Sequence, residues 1–404
     1  MTSLLINYTH LDHSSLDDCW PDDGIREDIH QLASICRDTS MAFLSPLMGA
    51  DNFPFPKNLA LSTLRVPVAE YDPNFGMSYE EITDLKAQEL LKLSKKTNRP
   101  IVVGWSGGID STLVVAALLK CGTPVDYSRI IIATNKTGVW ENSTFFFDCI
   151  LKNNLKVVEY DRFVSSLNTS NFSNYIHVNG HPNDQLLIGL NSSAVSSSEM
   201  AFEDPRWFNI PWQDSAKALE YLSAYWTTPG TAQWLFRKLS ENVLSMNAPV
   251  KSCYDLVRWL NFNYAFLPAF SNDYGNMYAN VCRIPINQWA DCAYQWFTDM
   301  KYQQWGLKNF SNLEQLLGPD RDQWKWVAKK YIYDYDKNKF YLRYKTKMGS
   351  SGRRAMFGKN LNEKGPAKTW VAITPDQRFL TIHNDLDELK QLLVQSLSSS
   401  DRIT

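Results

Sequence analysis

Apolar positions between residues 97 and 204 fall into short runs separated by segments of helix length. The runs are rich in Ile and Val, which is typical of strands with both faces buried in a parallel sheet. The predicted strands are Ile101–Trp105, Arg129–Thr134, Lys156–Tyr160 and Tyr175–Asn179. The predicted helices are Ser78–Lys96, Ser111–Lys120 and Glu141–Lys152. This alternation predicts an α/β fold in which helices flank a parallel sheet, with the ligand at the carboxyl ends of the strands.

The rest of the chain differs in character from this sheet region. Residues 1–77 mix short apolar runs with Pro- and Asp-containing turns, which predicts an irregular N-terminal segment. Residues 205–350 are helical in pattern and rich in Trp, so we expect helices packed through large aromatic side chains. The helix Ser78–Lys96, the sheet region 97–204 and the helical region 205–350 together form one predicted domain spanning 78–350. The tail, 351–404, has a predicted hairpin (Thr369–Ile373 and Phe379–Ile382) and a short helix (Leu386–Leu397).

Length, charge and cysteine content narrow the class of protein. The chain has 404 residues, a formal net charge of −2 and a pI near 6.3, so it lacks the basic surface that a long nucleic acid requires. No run of about 18 apolar residues and no signal-peptide pattern is present, and we expect a cytoplasmic protein without a membrane partner. The seven cysteines are scattered and form no Cys-x-x-Cys pair, which indicates neither a disulfide framework nor a zinc site.

The first predicted strand ends in a turn suited to phosphate. Gly107 and Gly108 let the backbone approach an anion, and the amides at the start of the next helix point toward it. The hydroxyls of Ser106 and Ser111 add donors, whereas the lysine of a Walker A loop is missing. Asp110, a carboxylate among phosphates, is explained by a Mg²⁺ ion between them. The alternative is a plain glycine turn in which Asp110 favours the helix start.

The hexapeptide Ser106–Ser111 (Ser-Gly-Gly-Ile-Asp-Ser) resembles the Ser-Gly-Gly-x-Asp-Ser signature of the PP-loop, or N-type ATP pyrophosphatase, superfamily. Within it the chain looks like the synthetase domain of asparagine synthetase and its relatives, the β-lactam synthetases and lasso-peptide cyclases. The resemblance covers roughly residues 78–350. It implies an adenine nucleotide alpha hydrolase-like fold that uses ATP and Mg²⁺.

The segment Gly180–Gly189 resembles a second turn of that family, Gly-x-Gly-Ser/Gly-Asp-Glu-Leu-Phe-x-Gly. The resemblance implies that Gly180 lies at the nucleotide and that Asp184 binds Mg²⁺ together with Asp110. Taken alone, the segment is also a well-capped helix start, since Asn183 and Asp184 are good N-terminal residues.

This second turn departs from asparagine synthetases at three positions. His181, Pro182 and Gln185 stand where those enzymes have glutamate, glycine and glutamate. In the family the first of these glutamates, at the position of His181, is thought to help deprotonate ammonia. Its loss argues against asparagine synthesis itself. His181 is either a replacement base, because a histidine side chain has an ordinary pKa near 6.5, or a buried structural histidine.

Two further segments carry the resemblance. Thr134 and Asn135 follow the second predicted strand, where the family recognises adenine and ribose. Arg343-Tyr-Lys345 resembles the family's Arg-x-Lys segment, whose lysine faces the α-phosphate and the departing pyrophosphate. Lys345 is the first candidate for that cation, with Arg343 and Lys325 behind it. Solvated surface charge is the alternative for this segment.

The resemblance implies an AMP- and pyrophosphate-forming carbon–nitrogen ligase that adenylates a small-molecule carboxylate. Met1-Thr2 offers no N-terminal cysteine, and the segment before the sheet is too short for a glutaminase domain. The nitrogen is then expected from free ammonia, an amine, an intramolecular amine or a separate nitrogen-delivering protein. The alternatives are a PP-loop enzyme that adenylates a nucleobase or tRNA carbonyl, and a catalytically idle nucleotide-binding protein.

Overall fold

The computed structural model describes residues 69–181, 183–187, 208–223, 230–265, 282–294, 296–319, 325–343, 369–373 and 379–383. Within these ranges five strands form a parallel sheet: β1 (Ile101–Gly104), β2 (Ile130–Thr134), β3 (Lys156–Glu159), β4 (Ile176–Val178) and β5 (Ala293–Tyr294). Their order across the sheet is β3-β2-β1-β4-β5, with every neighbouring pair parallel. The expectation of an α/β fold with a parallel sheet and flanking helices is confirmed.

The two faces of the sheet meet different side chains because successive residues of a strand point to opposite sides. Ile101 and Ile130, which are partners in register, belong to the main hydrophobic core. The next pair, Val102 and Ile131, joins Ala133 in a smaller cluster on the other face. Burial on both faces explains why β1 and β2 are apolar at successive positions.

Helices make up most of the remaining described structure. Before β4 they are α1 (Tyr79–Thr97), α2 (Ile109–Cys121), α3 (Pro124–Tyr127), α4 (Lys136–Glu141), α5 (Ser143–Phe145) and α6 (Tyr160–Ser166). After β4 they are α7 (Asn183–Leu187), α8 (Ser215–Ser223), α9 (Thr231–Ser245), α10 (Cys253–Leu260), α11 (Ile286–Cys292), α12 (Met300–Lys308), α13 (Leu313–Leu317), α14 (Trp326–Asp336) and α15 (Lys339–Arg343). Short π-helices lie at Phe146–Leu151 and Asn261–Ala265, and a 3₁₀ turn lies at Phe172–Asn174.

The helix predicted over Glu141–Lys152 begins two residues later than predicted, as α5, and continues directly as the π-helix Phe146–Leu151. α4 ends at Glu141, and Asn142 leaves the helical conformation with φ −147° and ψ 66°. The Asn142 side chain accepts a hydrogen bond from the Phe145 amide at 3.3 Å, so it caps α5 as a new helix start. Asparagine favours such caps over helix interiors, which explains why the helix begins after Asn142 and not at Glu141.

The tail contains the two strands β6 (Thr369–Ile373) and β7 (Phe379–His383), which pair antiparallel. They occupy the positions of the predicted hairpin. The predicted helix Leu386–Leu397 and residues 1–68 of the N-terminal segment lie outside the described residues.

Strand order reverses at β1, because β2 and β3 lie on one side of it and β4 and β5 on the other. The turn after β1 leads into α2, and the turn after β4 leads into α7. Open α/β sheets bind ligands in the crevice at such a reversal, outside the carboxyl ends of the strands. The two turns singled out in the sequence therefore meet at this point of the sheet.

Aromatic residues of the C-terminal half pack into the core. Trp259, Trp289, Trp296 and Trp305 are all buried. Through this packing α12 lies against α1 and α7, and α14 lies against α2. The helical half is thus in direct contact with the elements that carry both turns. In the part of the chain that the structure describes, no helix combines the length and the apolar character needed to cross a membrane.

Candidate functional site

The turn after β1 is held by close contact between two glycines. Gly107 has φ +71°, and a Cβ atom there would overlap the carbonyl oxygen of Gly138 and lie 2.9 Å from Glu141 Cβ. A Cβ atom on Gly138 would lie 3.0 Å from the Trp105 carbonyl oxygen and 2.6 Å from Thr134 Oγ1. Glycine is therefore required at both positions, and the backbone of the turn rests directly on the start of α4.

The two serines of the turn hold its shape through their hydroxyls. Ser106 Oγ accepts from the Gly108 amide at 3.2 Å, and Ser111 Oγ accepts from the Ser106 amide at 3.2 Å. The hydroxyl oxygens are 3.2 Å apart, and Ser111 Oγ also lies 3.3 Å from the Gly108 carbonyl oxygen, to which it can donate. Ser111 is buried while Ser106 is exposed. The expectation that these hydroxyls donate to a phosphate stays a prediction.

α2 begins directly after the turn, and its first amides point back toward it. The helical ladder starts when the Thr112 amide donates to the Gly108 carbonyl at 2.9 Å. The amides of Ile109, Asp110 and Ser111 precede that bond, so they have no intrahelical acceptor. Among the described residues no side chain caps this helix start, because its N-cap is Gly108. Three backbone donors and the positive end of a 13-residue helix thus converge at one place.

The second turn is pressed onto the first through Gly180. A Cβ atom at Gly180 would come within 3 Å of atoms of Asp110 and Ser111. Any side chain there would separate the end of β4 from the start of α2. This contact gives a physical reason for the glycine that the family resemblance places at the nucleotide.

Asp110 is the polar centre of the two turns. Its Oδ1 accepts from Asn183 Nδ2 at 2.7 Å, and its Oδ2 forms an ion pair with the Lys325 ammonium. Asn183 Oδ1 in turn accepts from the Tyr79 hydroxyl at 3.0 Å. Burial raises the pKa of Tyr79 well above its usual value, with the charge of Asp110 adding to the effect, so this phenol stays a neutral donor.

Lys325 contacts Asp110 although it lies 215 positions later in the sequence. It has a left-handed backbone conformation, with φ 51° and ψ 46°, immediately before α14. Its side chain is 7% exposed, against 22% for Asp110. A left-handed non-glycine residue is uncommon and costs free energy, so its surroundings must hold it in place. Lys325 lies at the start of α14, which packs on α2, and its ammonium is paired with Asp110.

Tyr341 contacts the backbone of the turn 106–108. Its hydroxyl lies 3.4 Å from the Gly107 carbonyl oxygen and can donate to it, and the ring is buried. Burial raises the pKa of this phenol well above its usual value, with the charge of Glu141 as the next cause. The sequence alone indicates no site role for Tyr79, Gly138, Asn183 or Tyr341. For Asn183 it shows only a residue suited to the start of a helix, and no pattern distinguishes the two tyrosines from other aromatic residues.

Other predicted site residues are placed as follows. His181 is exposed, and its amide donates to Asn179 Oδ1 at 3.0 Å, so the alternative of a buried histidine does not describe it. Thr134 is buried at the end of β2. The Asn135 side chain caps α4 by accepting from the Gly138 amide at 3.0 Å. These three residues surround the turn, and their assignment to a base, adenine or ribose stays a prediction.

The second carboxylate and the Arg-x-Lys segment are only partly described. Asp184 lies in the first turn of α7 and Arg343 is the last residue of α15, which fixes their backbone positions. Lys345 lies outside the described residues. The predicted roles of all three stay predictions.

Asp110 fits a Mg²⁺ ion that is shared with phosphate oxygens. Mg²⁺ in nucleotide sites is held by one or two carboxylates and by the phosphates, not by a cage of protein ligands. Among the described side chains there is no group of three or more His, Cys, Asp or Glu residues placed to hold a metal by themselves. Asp110 and Asp184, each after a strand of the sheet, are the residues that would hold the ion.

Comparison of the chain with models of protein families, with curated proteins and with solved structures gave no match.

Proposed function

We propose that the chain is an ATP-cleaving, AMP-forming ligase of the PP-loop type that joins a carboxylate to a nitrogen nucleophile. The observation that carries this proposal is the turn 106–108, where left-handed Gly107 and the uncapped start of α2 present backbone donors beside Asp110. An anion with several oxygens and a bound divalent cation matches that combination of donors and carboxylate.

The charges around the turn support pyrophosphate as the half of ATP that the turn binds. A transferred γ-phosphate is normally held by a lysine within the loop, and Ser106–Ser111 contains none. Lys325 lies instead across Asp110, where an ammonium can face the phosphate that becomes the leaving group. We therefore assign to Lys325, in addition to Lys345, the role of stabilising the negative charge that develops on departing pyrophosphate. Mg²⁺, when bound, would neutralise charge on the phosphate oxygens.

The proposed reaction has two steps. A substrate carboxylate oxygen attacks the α-phosphorus, and the bond from that phosphorus to the bridging oxygen breaks as pyrophosphate leaves. A nitrogen nucleophile then attacks the acyl carbon, the amide bond forms and AMP departs, while the proton on nitrogen passes to a base. His181 is the candidate base, because it is exposed beside the second turn.

A nucleotide-binding protein without catalysis is the second candidate. It is favoured by one observation, since both oxygens of Asp110 already have partners within the chain, Asn183 and Lys325. In a ligase Lys325 must move toward the phosphates when Mg²⁺ and ATP bind, whereas in a binding protein the ion pair persists.

Exchange of labelled pyrophosphate into ATP separates the two candidates. The assay is run on the full chain with a panel of amino acids and dicarboxylic acids, followed by AMP release with ammonia and with amines. A ligase shows exchange that depends on the carboxylate, and a binding protein shows none while still binding an ATP analogue. Formation of ADP in place of AMP, or a failure to bind any adenine nucleotide, would overturn the proposed function.

A further inference from the structure

The direction of the hydrogen bonds around Asp110 is set by chemistry. An ionised carboxylate only accepts hydrogen bonds, so the group of Asn183 that faces Asp110 Oδ1 at 2.7 Å is its amide nitrogen. The Asn183 oxygen must then point away from Asp110. Asn183 is fully buried, so that oxygen requires a donor within the protein.

Tyr79 supplies that donor. Its hydroxyl lies 3.0 Å from Asn183 Oδ1, and its side chain is 4% exposed. An amide oxygen cannot donate, so the phenol donates to it and thereby fixes which way the amide is turned. The resulting chain runs in one direction, from Tyr79 through Asn183 to Asp110.

Tyr79 is itself held from three sides. It is the first residue of α1, whose start is fixed by the capping box of Ser78 and Glu81. Its ring packs edge to face against Tyr302 and Trp305, with centroid distances of 5.4 and 5.0 Å. The packing of α12 therefore helps to set the position of the Tyr79 hydroxyl, which is linked to Asp110 through Asn183.

We propose that Tyr79 and Asn183 are positioning residues that hold the Asp110 carboxylate ready for a divalent cation. The inference rests on the proposed function, because it takes the cation to arrive with a nucleotide. Residues that orient a metal-binding carboxylate through hydrogen bonds set metal affinity even though they do not touch the metal. The Tyr79–Asn183 pair would determine how tightly the site binds the metal, while the turn itself binds the phosphates.

The test compares Tyr79→Phe with Tyr302→Phe in the full chain. Tyr302 is equally buried in the same aromatic cluster, but its hydroxyl bonds Thr83 and Trp296 and not Asn183. Mn²⁺ binding is measured by electron paramagnetic resonance with a non-hydrolysable ATP analogue present. We expect Tyr79→Phe to weaken Mn²⁺ binding on the order of 10-fold. Tyr302→Phe should bind Mn²⁺ as the unaltered chain does, whatever it does to thermal stability.

A second pair of variants distinguishes positioning from general structural support. Asn183→Ala removes the amide and should weaken Mn²⁺ binding. Asn183→Asp has the same shape and still accepts from Tyr79, but it has no N–H to donate to Asp110, so it should weaken Mn²⁺ binding as Asn183→Ala does. A purely structural role would leave Mn²⁺ binding by Asn183→Asp, which keeps the size of the side chain, close to that of the unaltered chain.

The outcomes are distinct. Equal Mn²⁺ affinities for Tyr79→Phe and Tyr302→Phe, or Mn²⁺ binding by Asn183→Asp that is not weakened, would overturn the positioning role while leaving the proposed function standing. If the unaltered chain binds neither the analogue nor Mn²⁺ with it, the proposed function itself fails.

Discussion

Gly180 lies so close to Asp110 that a Cβ atom on the glycine would stand 2.7 Å from the Asp110 Cβ and 2.8 Å from the Ser111 amide nitrogen. The segment after β4 and the start of α2 are thus so close that only a glycine fits between them. This contact, more than any charged pair, sets the spacing between the two turns.

The variant Gly180→Ala should therefore displace Asp110 and the first amides of α2. A displacement of about 1 Å at a reacting centre can cost roughly 100-fold in rate, and we expect a loss of that order in pyrophosphate exchange. Gly76→Ala is the matched control, since the nearest atom to a Cβ there is 4.0 Å away. Full exchange activity in Gly180→Ala would contradict the proposed contact between the turns.

Replacing Gly107 tests the conformation of the turn. Alanine at φ +71° carries a left-handed penalty of about 1–2 kcal/mol, and overlap with the Gly138 carbonyl oxygen adds to it. We expect Gly107→Ala to lower the free energy of unfolding by at least that amount in urea denaturation. Gly104→Ala, at the end of β1, should cost much less, because its Cβ would meet its nearest neighbour at an ordinary 3.7 Å. Equal losses for the two variants would show that Gly107 is not left-handed in solution.

Lys325 is expected to carry charge that the reaction needs. Lys325→Met removes the ammonium beside Asp110, and loss of one group that stabilises transition-state charge costs about 100- to 1,000-fold in turnover. Lys330, in α14, is a half-exposed lysine paired with Asp334, so Lys330→Met should leave turnover unchanged. Steady-state rates of AMP release measure both variants. Lys345→Met, assayed alongside, shows whether one lysine or two face the phosphates, and normal turnover in Lys325→Met would remove Lys325 from the mechanism.

Stability should fall in mild acid because of His177. This β4 side chain is buried and stacks on Phe172 with ring centroids 4.1 Å apart, and burial lowers its pKa from 6.5 to about 4. Between these values the unfolded chain binds a proton that the folded chain does not, so stability is lost as pH falls from 6.5 toward 4. The shift corresponds to about 3 kcal/mol.

Urea denaturation at pH 7 and pH 4.5 measures this effect. His177→Leu keeps the packing against Phe172 and cannot titrate, so the fall in its unfolding free energy should be smaller than that of the unaltered chain. An identical fall in both proteins would assign the acid sensitivity to other groups.

Burial on both faces made the sheet predictable. β1 and β2 lie within one residue of the predicted bounds, because fully buried parallel strands leave continuous apolar runs. β5 was not predicted, since two residues leave no periodic pattern. Asn142 moved the start of the helix predicted from Glu141 to Ser143, because its side chain caps the helix and apolar spacing does not report a cap.

The site was predictable only where its residues are neighbours in sequence. The turn 106–111 carries its glycines, serines and carboxylate together, and it could be recognised from them. The partners of Asp110 could not, because Asn183 and Lys325 follow it by 73 and 215 positions and reach it only through packing of α7 and α14. Tyr79 lies 104 positions before Asn183, and no local pattern relates the two.

The same separation has a consequence for synthesis on the ribosome. A growing chain that has emerged through β3 contains the whole glycine turn but neither the strand that flanks β1 on its other side nor the lysine that neutralises Asp110. Contacts of such long range close late and slowly. The proposed nucleotide site is thus complete only after α14 has been made and packs on α2, and not when the glycine turn itself is made.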